Sequence, residues 1–145
     1  MSIAARSSST VWEGPLASGT GRLESGSGAL TGLEVTWAAR TEAPGGKTSP
    51  EELAAAAHSS CFSMALTLKL GEHQLTPQRL DVQSTVTLDE VNGLPTIVSS
   101  ALTVKAQVSG VDAATFQGIV DEAAALCPVS RLFAGAAISV KAELS

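Results

Sequence analysis

The sequence predicts a single domain that mixes strands and helices in separate runs, and three stretches carry that reading. Residues 48–70, TSPEELAAAAHSSCFSMALTLKL, join a helix-start signature to a long apolar run. Residues 78–109 hold two alternating segments around Asn92-Gly93, the signature of a β-hairpin. Residues 112–126 place apolar side chains at helical spacing, and a last alternating segment closes the chain.

The N-terminal 47 residues read as short strands punctuated by glycine. Thr10 to Gly14 carries Trp12, Gly19 to Glu24 follows, and SGSG at Ser25 to Gly28 is a flexible turn. Leu33, Val35, Trp37 and Ala39 alternate with polar or small residues, which predicts a half-buried strand delivering Arg40 at its end. Pro44, Gly45 and Gly46 then loop into Ser49, a helix cap. Pro50 at the first helical position needs no amide partner, Glu52 is placed to complete a capping box, and Glu51 and Glu52 suit the positive end of the helix dipole.

From Leu53 onward Ala, Cys, Phe, Met and Leu cover most of the helix circumference, which predicts a central helix buried on all sides. One chain of 145 residues offers few elements to cover such a helix, so a homodimer is expected. His58, Ser59, Ser60 and Lys69 interrupt or close the run, so it is not read as a membrane span. After an exit turn at GEHQLTP, Leu80, Val82, Val86 and Leu88 alternate up to Asn92-Gly93. Val98, Leu102, Val104, Ala106 and Val108 alternate on the return. Asp112 caps a second helix bearing Phe116, Ile119, Val120, Ala123 and Leu126. Pro128 disfavours helical geometry at Cys127, placing that thiol at a boundary before a short helix, VSRLFAG. Ile138, Val140, Ala142 and Leu144 form the final strand.

Composition excludes several classes. A hydrophobic fraction of 44% is incompatible with general disorder. A net charge of -5, 3% aromatic residues and no tyrosine supply neither the basic surface nor the stacking platforms that nucleic acid requires. MSIAARSSST lacks the apolar segment of a secretory signal, so a cytoplasmic location is expected. Two cysteines, Cys61 and Cys127, are not a disulfide framework of the secreted kind; if they pair, they pair within a reaction. Gly19, Gly21, Gly26 and Gly28 lack the context of a phosphate loop and are turn glycines.

Each cysteine has a plain reading as a small core hydrophobe. Their joint use is sharper: one thiolate attacks a peroxide and becomes a sulfenic acid, and the second thiol condenses with it. That chemistry needs a cation near the attacking thiol, for which Arg40 and Arg131 are candidates against a plain reading as surface arginines. His58, three residues before Cys61, shares its helix face and is read chiefly as a hydrogen-bonded helix histidine. A Cys-His nucleophile or a zinc site adding Cys127 and His73 are the other options, though the spacing fits no common zinc pattern. Phe62 and Met64 are core residues or, secondarily, substrate contacts.

TSPEELAAAAHSSCFSMAL, LCPVSRLF some 65 residues later and VWEG near the start together resemble the OsmC/Ohr family of thiol-dependent peroxidases, nearer its OsmC branch. The likeness runs over almost the whole chain. It implies an α+β fold in which two central helices are flanked by mostly antiparallel sheets and two chains intertwine as a homodimer, with active sites at the subunit interface. It implies that Cys61 is peroxidatic, that Cys127 resolves, and that Glu51 is the acidic partner of an active-site arginine. In the OsmC branch that arginine comes from the strand before the capping-box loop, where Arg40 stands; Arg22 on the N-terminal strands is the reserve. Ten residues of straight helix span roughly 15 Å, so Glu51 reaches Cys61 only if the helix breaks, if a long arginine bridges, or if Glu51 serves the partner chain.

The expected protein is therefore a cofactor-free, metal-free, dimeric peroxidase, with Phe62 and Met64 against an organic hydroperoxide. An external dithiol, by family likeness a lipoyl-bearing protein, reopens its disulfide. The rivals are a small-hydrophobe binding protein on the same fold and a redox sensor or cysteine hydrolase using Cys61 and His58.

Overall fold

The structure, a computed structural model, describes residues 1–145. The chain divides into two compact units, Met1–Leu53 and Ala54–Ser145.

In the first unit, strands β1 (Ser8–Glu13), β2 (Thr20–Ser25) and β3 (Glu34–Val35) form an antiparallel sheet in sequence order. Trp12 lies opposite Gly21, where an added Cβ would meet the Trp12 ring at 3.0 Å and the Val35 side chain at 2.6 Å. Glycine there leaves the indole room to lie across the sheet. The strand expected to carry Arg40 stops after Val35. Thr36 accepts a hydrogen bond on its hydroxyl from the Ala39 amide at 3.1 Å and caps a short helix, α1 (Trp37–Thr41). Arg40 therefore stands on a helix; a threonine cap and the helix-forming Ala-Ala-Arg override the apolar alternation.

The long helix, α2, runs without interruption over Pro50–Glu72. Ser49 caps it as expected, its hydroxyl accepting from the Glu52 amide at 3.1 Å. The reciprocal half of the capping box differs: the Glu52 carboxylate accepts from the Thr48 hydroxyl at 2.6 Å.

In the second unit, β4 (Pro77–Val91) and β5 (Leu94–Val108) pair antiparallel as the expected hairpin, and β6 (Ala137–Leu144) adds parallel to β5. Asn92 and Gly93 both have positive φ, 52° and 78°, which matches the turn to the twist of the strands. Asp112 caps α3 (Ala113–Leu126) by accepting from the Thr115 amide at 2.7 Å. A five-residue helix, α4 (Pro128–Leu132), follows directly. One core unites Phe62, Leu66 and Leu70 of α2, Leu102 and Val104 of β5, and Phe116, Ile119 and Val120 of α3.

The expectation that α2 is buried on all sides is not met within one chain. His58, Phe62, Leu66 and Leu70 are fully buried, but Met64 is 73% and Leu68 55% exposed. At helical spacing, residues 64 and 68 share a face that the rest of the second unit leaves exposed.

Candidate active site

The two cysteines come together in the second unit. Cys61 projects from α2, half-buried, and Cys127 is fully buried where α3 ends and α4 begins. Cys127 has ψ 116°, the extended geometry that a following proline imposes, so the boundary read from Pro128 is where the thiol sits. Both thiols are free, Cys61 packs against the core that holds Cys127, and Cys127 lies close enough to perturb the Cys61 thiol. Burial pushes the Cys61 thiol above its usual pKa. The nearby Val129 backbone N–H, the first of α4 to follow Pro128, pulls the other way, while the Cys127 thiol adds to the rise.

His58 is fully buried one turn before Cys61. Its Nδ1 lies 2.5 Å from Ser100 Oγ and its Nε2 2.7 Å from Ser130 Oγ, and Ser100 in turn contacts Ser84 Oγ at 2.9 Å. Both ring nitrogens are occupied by serine hydroxyls, which supports the hydrogen-bonded reading over a Cys-His nucleophile or a metal ligand. His73, the other histidine weighed for zinc, is exposed and 3.3 Å from Glu122.

Burial lowers the pKa of His58 from its usual 6.5. Below pH 6.5 the unfolded chain binds a proton that the folded chain refuses, so stability falls as pH drops from neutrality toward the depressed folded value. One such proton is worth at most about 1.4 kcal/mol per pH unit. Urea midpoints between pH 7.5 and 5.5 should fall more steeply for wild type than for His58→Gln, which cannot take the proton; parallel slopes would show that His58 does not titrate in this way.

The first unit holds the other predicted pair. Arg40 grips Glu51 with two nitrogens: Nε donates to Oε1 and Oε2 at 3.0 and 3.1 Å, and Nη2 donates to Oε1 at 2.7 Å. Arg22 is instead largely exposed and pairs with Glu34 at 3.0 Å, so the arginine that meets Glu51 is Arg40. Arg131 is exposed on α4. Beside the ion pair, Trp12, Leu23, Val35, Trp37, Pro50, Leu53 and Arg40 line a cavity of about 390 Å³.

Of the residues expected to meet substrate, Met64 is open to solvent, but Phe62 is wholly buried in the core and is a packing residue. Sequence reading missed the apolar wall formed by Trp12 and Trp37, although the first stands in VWEG. It also missed Ser130 and the Val129 amide, although both lie within LCPVS. No helix is long and apolar enough to cross a membrane.

A family model described as OsmC-like protein matches residues 43–143. The chain is 44% identical over 121 residues to Peroxiredoxin OsmC of Escherichia coli, covering 83% of this chain and 84% of that protein. Among solved structures it superposes on an organic hydroperoxide resistance protein of Elizabethkingia anophelis with a TM-score of 0.73 and 25% identity, covering 99% of this chain and 97% of that one. An OsmC structure from Legionella pneumophila gives a TM-score of 0.75 at 21% identity over 100% of this chain and 99% of that one, a likeness of fold.

Proposed function

The chain belongs to the OsmC-like protein family and is a cysteine-based peroxidase, and on that premise we propose that it reduces organic hydroperoxides, and hydrogen peroxide more weakly, through a Cys61–Cys127 disulfide. The observation that carries this reading is the proximity of two free thiols that are remote in sequence, Cys61 packing against the core that holds Cys127. The Cys61 thiolate attacks the terminal peroxide oxygen; the O–O bond breaks, the alkoxide leaves and takes a proton as the alcohol, and Cys61 becomes a sulfenic acid. Cys127 sulfur then attacks the sulfenic sulfur, water departs, and the disulfide forms. A dithiol must return two electrons, and a cytoplasmic lipoyl-bearing protein is the proposed donor.

Burial raises the Cys61 pKa and one amide opposes it only in part, so a nucleophilic thiolate needs a cation. Arg40, aimed by Glu51, is that cation. Ten residues of unbroken α2 separate Glu51 from Cys61, roughly 15 Å of helix. Either Arg40 bridges that length or a second chain brings its Arg40 and Glu51 to each thiol, and we favour the second chain. A homodimer covering the face of Met64 and Leu68 would provide it. The cavity beside Arg40 sets apolar tryptophan and valine surface next to a charge, suiting a polar peroxide with an alkyl tail. Each buried methylene contributes about 0.8 kcal/mol, and Met64 is proposed to extend that contact.

One equivalent of tert-butyl hydroperoxide added to reduced protein should remove two hydrogens from the intact mass. Non-reducing peptide mapping should then join Cys61 to Cys127. Unchanged mass would leave the cavity as a ligand pocket and end the peroxidase assignment.

A further inference from the structure

His58 is a fully buried titratable side chain for which the peroxidase reaction has no step. Desolvating an imidazole is unfavourable unless both nitrogens are satisfied, and here each is satisfied by a different part of the fold. Nδ1 faces Ser100 on β5, which touches Ser84 on β4; Nε2 faces Ser130 on α4, at 2.7 Å. The ring thus ties α4 to the hairpin through α2. Helix α4 has little else to hold it: none of its five residues is fully buried, and Val129 is the one that packs against the core. Phe133, just past its end, meets the His58 ring edge-on at 5.5 Å. Yet Cys127 directly precedes α4, and the Val129 backbone N–H lies near enough to Cys61 to favour its anion.

We propose that His58 is a positioning residue which, through Ser130, docks α4 so that Cys127 and the Val129 amide stay against Cys61. The inference rests on the peroxidase reading and adds a role that the sulfur chemistry alone does not require. Condensation of the Cys61 sulfenic acid with the Cys127 thiol forms an S–S bond and releases water, so it depends on how long the two sulfurs stay aligned. Loosening α4 should slow that step and withdraw an amide donor from the Cys61 thiolate.

Ser130→Ala tests this with little threat to folding, because Ser130 is only half-buried. Ser130→Thr restores the hydroxyl, and its extra methyl has room in the cavity that Ser130 borders with Ala134 and Ile138. After one equivalent of tert-butyl hydroperoxide, dimedone trapping should find the Cys61 sulfenic acid living roughly five to ten times longer in Ser130→Ala, the change that losing one hydrogen bond brings. Thiolate absorbance at 240 nm, read in a Cys127→Ser background so that one thiol titrates, should appear at higher pH in Ser130→Ala. Ser130→Thr should match wild type in both. Wild-type lifetime and titration in Ser130→Ala would overturn the inference. So would a lowered Tm with neither readout moved, or a defect that Ser130→Thr does not repair. If wild-type protein forms no sulfenic acid at all, the peroxidase reading falls, and the thiolate titration still decides whether α4 docks through this bond.

Discussion

Cys61→Ser should consume no hydroperoxide, whereas Cys127→Ser should consume about one equivalent per chain and stop. The asymmetry follows from where the two thiols sit. Cys61 projects from the interior of a 23-residue helix, half-exposed, with the Val129 backbone N–H near its sulfur. It is reachable, and with an added cation to offset its burial it can be held as the anion. Cys127 is fully buried and has no open approach for a substrate. Its backbone, however, sits between two helices at a proline boundary, where a small shift brings the sulfurs together. A disulfide needs α-carbons within about 7 Å, and a mid-helix residue cannot move far to meet that limit. The Cys127→Ser protein should therefore hold a sulfenic acid on Cys61 that dimedone traps and excess peroxide drives to the sulfinic form. First-turnover activity kept by Cys61→Ser and lost by Cys127→Ser would reverse the roles. Wild-type behaviour in both variants would remove the thiols from the chemistry.

Arg40→Ala should lower the second-order rate with organic hydroperoxide by roughly 10- to 1,000-fold. A neighbouring arginine shifts an acid's pKa by about 1–3 units, and each unit is a factor of ten in anion population while the pH lies below the pKa. Lysine should rescue poorly, because the Glu51 carboxylate is held by two guanidinium nitrogens at 2.7 to 3.1 Å, a grip that an ammonium cannot reproduce. Mixing exposes the source of the cation. If Arg40 serves the partner's Cys61, a heterodimer of Arg40→Ala and Cys61→Ser chains contains one intact site. Activity should then recover to about a quarter of wild type, since half of randomly exchanged dimers are mixed and half their sites complete. No recovery after verified subunit exchange would mean that each chain uses its own arginine.

The secondary structure was largely legible because its signals are local. Asn92-Gly93 specifies its turn through positive φ, Asp112 and Ser49 cap helices through their own side chains, and Pro128 bends the chain at Cys127 wherever the segment is placed. The two cysteine motifs likewise pointed to the thiols proposed here to react, since the residue types themselves carry the chemistry. One local contest misled: the alternation through Leu33, Val35, Trp37 and Ala39 looked like strand, and the Thr36 cap with its helix-forming successors won. What periodicity could not supply was the partner of each side chain. That Arg40 and not Arg22 meets Glu51, and that Phe62 faces the core while Met64 faces out, depends on chain returns that no sequence window contains. So does the joining of His58 to serines 42 and 72 residues away. Composition and spacing determined the chemistry available to this protein, because reactivity resides in residue types and local backbone preference. Tertiary structure decided which groups share a dielectric and a hydrogen bond, because those depend on distance in space and not along the chain.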